Sequence, residues 1–146
     1  MKGIPAYVLS GVGHLAVLLC GPASAWADDP QRLQPGLWET TVSAGSMPSQ
    51  KSTQCISTSQ ADTANGDYAH VKAALDRQNA ENGCSTGSVT VEGPRIRFTM
   101  TCSDMETVTD ITYFGTHSEG TMSTEMSPGK HSTMTVTSTR LGACPP

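Results

Sequence analysis

Four cysteines, Cys55, Cys84, Cys102 and Cys144, set the strongest limit on what this chain can fold into. They stand 29, 18 and 42 residues apart, with no Cys-x-x-Cys pair and no clustered histidines, so the spacing does not suit a zinc site. An even number of cysteines reads as two disulfides if the chain is exported. The N-terminus bears on that condition. Lys2 is followed by an apolar stretch, Val12 to Cys20, interrupted by His14. Gly21-Pro22 and two small-residue frames follow, Ala23-Ser24-Ala25 and Ala25-Trp26-Ala27. This is the order of a secretory signal peptide. The charged pair Asp28-Asp29 favours cleavage after Ala27. Residues 1–27 are thus expected to be the signal, and 28–146 a single periplasmic or secreted domain. The apolar run is shorter than the roughly 20 residues a spanning helix needs, so no transmembrane span is expected in the mature chain. Cys20 follows Leu19 where a lipid-modified cysteine would follow a small residue, and is read as part of the signal.

The domain that remains has little to build a core from. The chain holds 19 threonines, all after residue 38, and 16 serines, while methionine stands in for several large aliphatics. Threonine and valine favour strands, where a branched Cβ packs on the pleat. Disulfides compensate for a thin core by restricting the unfolded chain, at ~2–4 kcal/mol each. The net charge of −4, from 9 basic and 13 acidic residues, lacks the basic excess of a nucleic-acid binder.

The pattern predicts an antiparallel meander of about six strands or more. It would form a curved sheet or small open barrel with one inserted α-helix. Leu37 to Ser43 is the first strand, with Trp38, Thr40 and Val42 on one face, and Lys51 to Ile56 is its return. Tyr68, Val71 and Leu75 stand at helical spacing, Asp67 can cap the start, and Gly83 suits the end. That places the helix at about residues 68–80, with His70 as a half-exposed helix histidine. Val89 and Val91 alternate, as do Ile96, Phe98 and Met100. A turn at Glu92-Gly93 would set Val89 opposite Ile96 and Gly87 opposite Phe98. Glu106 to Phe114 is a further strand. The last hairpin turns at Ser127-Pro128-Gly129, with glycine in the left-handed position. It sets Met122 opposite Met134, Thr124 opposite Ser132, and Gly120 opposite Val136.

Four cysteines allow three connectivities. Cys84 and Cys102 flank one hairpin, which favours that pair and leaves Cys55 with Cys144 to tie the second strand to the end of the last, closing the sheet. Parity opposes the first bond, since Cys102 shares a face with Phe98 and Met100 while Cys84 falls on the other. The bond therefore needs Cys84 in the turn before the strand, or a β-bulge there.

The stretches Leu33-Gln34-Pro35-Gly36-Leu37-Trp38-Glu39, Thr53-Gln54-Cys55 and Leu141-Gly142-Ala143-Cys144 carry a resemblance. With central cysteines around a Val-x-Val-x-Gly hairpin, the chain resembles the bacterial exported family called domain of unknown function 3617, over nearly all of the mature part. The resemblance implies a small, β-rich periplasmic or envelope protein with no established activity, and it transfers no catalytic residue.

No residue set announces a reaction. There is no Gly-x-Ser-x-Gly elbow and no phosphate-binding glycine loop, and the carboxylates Asp104, Glu106, Asp110, Glu119 and Glu125 cannot be paired from sequence. No catalytic residue, cofactor or metal is assigned, and the chain is expected not to be an enzyme. Met100, Met105, Met122, Met126 and Met134, with His117 and His131, are soft ligands of the kind that select Cu(I). Methionine also fills irregular cores, and that reading is preferred. The expectation is a binding module for a hydrophobic small molecule, a lipid or a protein partner of the cell envelope. Trp38, Phe98, Met122 and Met134 are its candidate ligand-facing residues. The alternative is a structural or stress-related envelope protein without a small ligand. An apolar concavity would favour the first and a filled interior the second.

Overall fold

The computed structural model describes residues 31–146, so the signal segment, its cleavage frame and Cys20 lie outside the described residues. Seven strands form one antiparallel sheet: β1 (Gly36–Ser43), β2 (Gln50–Ile56), β3 (Ser85–Glu92), β4 (Arg95–Cys102), β5 (Met105–Tyr113), β6 (His117–Met126) and β7 (Lys130–Gly142). Two helices, α1 (Thr58–Asn65) and α2 (Tyr68–Glu81), stand between β2 and β3. The order across the sheet is β2-β1-β7-β6-β5-β4-β3. Because β2 is not next to β3, the expected meander of the whole strand set holds only for β3 to β7. The β1–β2 hairpin joins it through β1, which pairs with β7 from Leu37 opposite Gly142 to Ser43 opposite Thr135.

The sheet stays open, with β2 and β3 as its edges. It also curls. One cavity is lined by Ile56 of β2 and by Ile96 and Phe98 of β4, five places away in the strand order. In a flat sheet that separation would be about 24 Å, at roughly 4.8 Å per strand. The chain between the two edges is the helical pair. Neither helix is long and apolar enough to cross a membrane.

Alternation gives the sheet two unlike faces. On the inner face Trp38 and Ile96 are buried, and Thr107, Thr109, Ser118 and Thr124 are buried with them. The outer positions of β7, Thr133, Thr135, Thr137 and Thr139, are all exposed. Among the described residues the buried apolar set is short: Trp38, Ala61, Val71 and Ile96. This is the thin core that the composition implies, with hydroxyls filling strand positions that other chains give to aliphatics. Thr107 and Thr124 face each other and share a hydrogen bond of 3.0 Å.

Three details depart from the sequence reading. Helix α1 was not expected, because only Ala61 on it is buried and its residues are mostly polar. Its start is nonetheless written in the chain as a capping box: the Ser57 hydroxyl accepts from the Gln60 amide, and the Gln60 side chain accepts from the Ser57 amide. The β3–β4 register also differs. Val91 faces Ile96 and Val89 faces Phe98, because the loop is Gly93-Pro94 and Glu92 already pairs with Arg95. The shift is two residues, so the apolar positions keep their common face. Finally, the Cys55–Cys144 bond does not close the sheet; it links β2 to the residues after β7 across the intervening β1. The last hairpin has the expected register throughout, including Met122 opposite Met134.

Both disulfides have the expected partners. Cα atoms of Cys84 and Cys102 are 4.4 Å apart, and those of Cys55 and Cys144 are 5.5 Å apart. The parity conflict at Cys84 is resolved by a bulge between Thr86 and Val89. Beyond it Thr86 faces Met100 and Ser85 faces Thr101, a one-residue change that brings Cys84 opposite Cys102.

Candidate functional site

The site is built where the helical pair lies over the inner face. Helix α2 begins at Asp67, whose carboxylate accepts from the His70 amide and ring. Those hydrogen bonds, the backbone one first, hold the Asp67 carboxyl below its ordinary pKa. His70 is well exposed there. Val71, one turn on, is buried toward the sheet, and Ala74 and Leu75 follow on the same side. The far end of α2 is anchored by Asn79: its side chain donates to the Thr86 hydroxyl at 2.9 Å, and its carbonyl accepts from the Cys84 amide at 2.8 Å.

A strap formed by residues 32–34 holds the α1–α2 junction. On one side it pairs with Gly115, through Gln34 N to Gly115 O at 3.0 Å and Gly115 N to Arg32 O at 3.1 Å. On the other side the Asn65 side chain makes a reciprocal pair with the backbone of Leu33, both bonds at 2.9 Å. The Arg32 guanidinium is buried and donates to three carbonyls: Gly93 in the β3–β4 loop, Ala64 in α1 and Gly66 between the helices.

Beneath this cover is a cavity of about 460 Å³, within the usual range for small-molecule sites. Its walls are Leu33, Ile56, Val71, Ala74, Leu75, Ile96 and Phe98. Gln54, Gln60, Gln78, Arg77 and Glu81 supply the polar part of the lining. A second cavity of about 180 Å³ lies against Trp38, Ile111 and Val136, and the two share Leu33, Gln54, Ile56 and Tyr113. Burial pushes the Tyr113 phenol above its ordinary pKa, with the Arg32 charge pulling the other way. The phenol is therefore neutral at pH 7. Among the described residues, no histidine lines either cavity.

The expected ligand-facing residues separate into two groups. Phe98 lines the larger cavity and Trp38 the smaller, where the Trp38 indole donates to the Gln34 carbonyl at 2.9 Å. Met122 and Met134 share the inner face but line neither cavity. Sequence reasoning missed Arg32, Asn65, Leu75 and Tyr113. Leu75 lies in the predicted helix, and the capping box at Ser57 would have pointed to the helical pair that carries Asn65. Nothing near Arg32 in sequence signals its three distant carbonyl partners.

Residues 33–144 match the family model described as "Protein of unknown function (DUF3617)". The chain belongs to this family. For the DUF3617 chain described here, the match begins in the strap and ends at the last cysteine, so it takes in the whole sheet, both helices and both disulfides. Comparison with curated proteins and with solved structures returns no match.

Proposed function

We propose that this DUF3617 protein is an exported, non-enzymatic module of the cell envelope that holds a small hydrophobic molecule or lipid between its helices and its sheet. The observation that carries this reading is the cavity of about 460 Å³ under α1 and α2, whose lining combines apolar walls with polar side chains. A chain with so few buried apolar side chains would gain from filling that space with its own residues. Leaving it open toward Gln60, Arg77 and Glu81 suits an occupant with an apolar body and a polar end. Two disulfides suit an oxidising compartment, in keeping with export and residence in the periplasm or outside the cell.

The test uses protein purified from the periplasm after expression with its signal. Native mass spectrometry should show a small-molecule adduct, or the apo protein should take up cis-parinaric acid with quenching of Trp38 fluorescence. Ala74→Phe, which fills the cavity, should weaken uptake by about tenfold or more while leaving the melting temperature within a few degrees. Neither an adduct nor uptake, or uptake unchanged by Ala74→Phe, would favour the structural envelope protein instead.

A further inference from the structure

We infer that the larger and the smaller cavity hold one occupant, an elongated apolar molecule with an acceptor oxygen along its length that takes a hydrogen bond from the Tyr113 phenol. This rests on the binding reading above and names the chemistry that reading leaves open. The two cavities share Leu33, Gln54, Ile56 and Tyr113, so these residues mark a joint. Each side of the joint has its own apolar walls: Val71, Leu75 and Phe98 in the larger cavity, and Trp38, Ile111 and Val136 in the smaller. Arg77, Gln78 and Glu81 line the larger cavity alone. A molecule long enough to fill both therefore keeps a polar end toward α2, passes Tyr113 and ends against Trp38.

Tyr113 is well placed to read what passes. It closes β5 and pairs with Ser118 of β6, and its amide donates to the Pro94 carbonyl at 3.0 Å, so its backbone is held from two sides. The side chain is half-buried, yet among the described residues its phenol oxygen has no hydrogen-bond partner. No buried polar side-chain atom among those residues is sealed off without a partner. An unpartnered phenol oxygen is therefore open to the cavities that Tyr113 lines. Hydroxyls on the same face behave differently. Thr40 and Ser138, also on the smaller cavity, bond each other at 2.9 Å, and Thr107 bonds Thr124 at 3.0 Å. The Arg32 charge reaches the phenol, but the hydrogen bonds of Arg32 go to three backbone carbonyls. Burial keeps the phenol protonated, so it has a hydrogen to give. A donor left unmet between apolar walls is costly, and a site built around one rejects ligands that cannot meet it.

The experiment uses the disulfide-intact protein stripped of lipid and follows binding by calorimetry and by Trp38 emission. Trp38 is the only tryptophan among the described residues, and it lines the smaller cavity alone. The probes are octadecanoic acid and its oxo derivatives, with the ketone near the carboxyl, in mid-chain or near the methyl end. All should perturb Trp38. One oxo isomer should bind about fivefold or more tighter than octadecanoic acid, within the range of one net hydrogen bond. Tyr113→Phe should remove that preference by weakening the ketone alone. It should leave the melting temperature of the empty protein unchanged, because the lost hydroxyl has no partner in the protein. Oxo isomers that bind no better than octadecanoic acid would overturn the inference and leave the binding reading standing. So would a preference that survives Tyr113→Phe, which would move the contact to Gln54 or Ser118. Bound probes that leave Trp38 unperturbed would overturn it as well, by confining the occupant to the larger cavity. A clear fall in the melting temperature of Tyr113→Phe would do the same, by showing the phenol to be bonded within the protein. Failure of every probe to bind would overturn both readings.

Discussion

Arg32 is the residue on which most of the cover depends. Its side chain is 6% exposed, and its charge is met by three carbonyl dipoles from the β3–β4 loop, α1 and the α1–α2 junction. A fork of fixed N–H groups can reach such separated acceptors, while an ammonium offers a single point. Removing the fork leaves buried carbonyls without a donor, and hydrogen bonds to charged groups are the stronger kind. Arg32→Met should therefore cost about 2–4 kcal/mol in urea unfolding, and Arg32→Lys should recover little of it. A loss below about 0.5 kcal/mol, as for an ordinary surface change, would show that the helical pair is held by something else. Trp38 contrasts with this. It stands where its alternation with Thr40 and Val42 predicts, because its place follows from its own strand, whereas Arg32 takes its role from partners up to 61 residues away.

The helical pair is the element whose place is set least by its own sequence. Its ends are fixed by the disulfides: Cys55 lies two residues before the Ser57 cap of α1, and Cys84 two residues after the Asn82 cap of α2. Each bond thus pins one end of the cover, and the chain-entropy model gives them different weights. It assigns about 3 kcal/mol to the bond closing 18 residues and about 4.6 kcal/mol to the one closing 89. The double variant Cys55Ser/Cys144Ser should lose more stability than Cys84Ser/Cys102Ser, by about 1–2 kcal/mol in denaturant unfolding. The reverse order would mean that strain or residual structure in the unfolded chain dominates. The same element shows where sequence reading succeeds and where it fails. The hairpin β6–β7 was legible to the residue, because Gly129 fixes the turn and alternation does the rest. Helix α2 was legible from Tyr68, Val71 and Leu75, although Tyr68 itself turns out exposed. Helix α1 buries too little to leave a periodic trace. Of the larger cavity only Phe98 was legible as a ligand-facing wall residue, and of the smaller only Trp38, since the other wall comes from a segment that packs across the sheet.

At the scale of the whole molecule, an open sheet has two edges to protect, and it protects them differently. Edge β3 carries the bulge between Thr86 and Val89, and α2 is fastened to it through Asn79 and the Cys84–Cys102 bond. Both devices keep a second strand from pairing there. Edge β2 has no such cover: Gln50 to Cys55 are all exposed. Its protection is Lys51, 63% exposed and paired with Glu39 on the neighbouring strand at 2.8 Å. A surface ion pair of this kind contributes only about 0–1 kcal/mol, so stability does not explain it. A lysine in mid-edge does have another effect, since pairing with a second chain would bring its charge against that chain. Replacing it together with its outer-face neighbour, as Lys51→Val and Thr53→Val, should leave the melting temperature within a few degrees yet cause association. In size-exclusion chromatography with light scattering, the variant should gain mass as concentration rises while the parent stays a single species. A variant that remains monomeric into the millimolar range would mean that the twist of β2, and not its charge, guards the open side of the sheet.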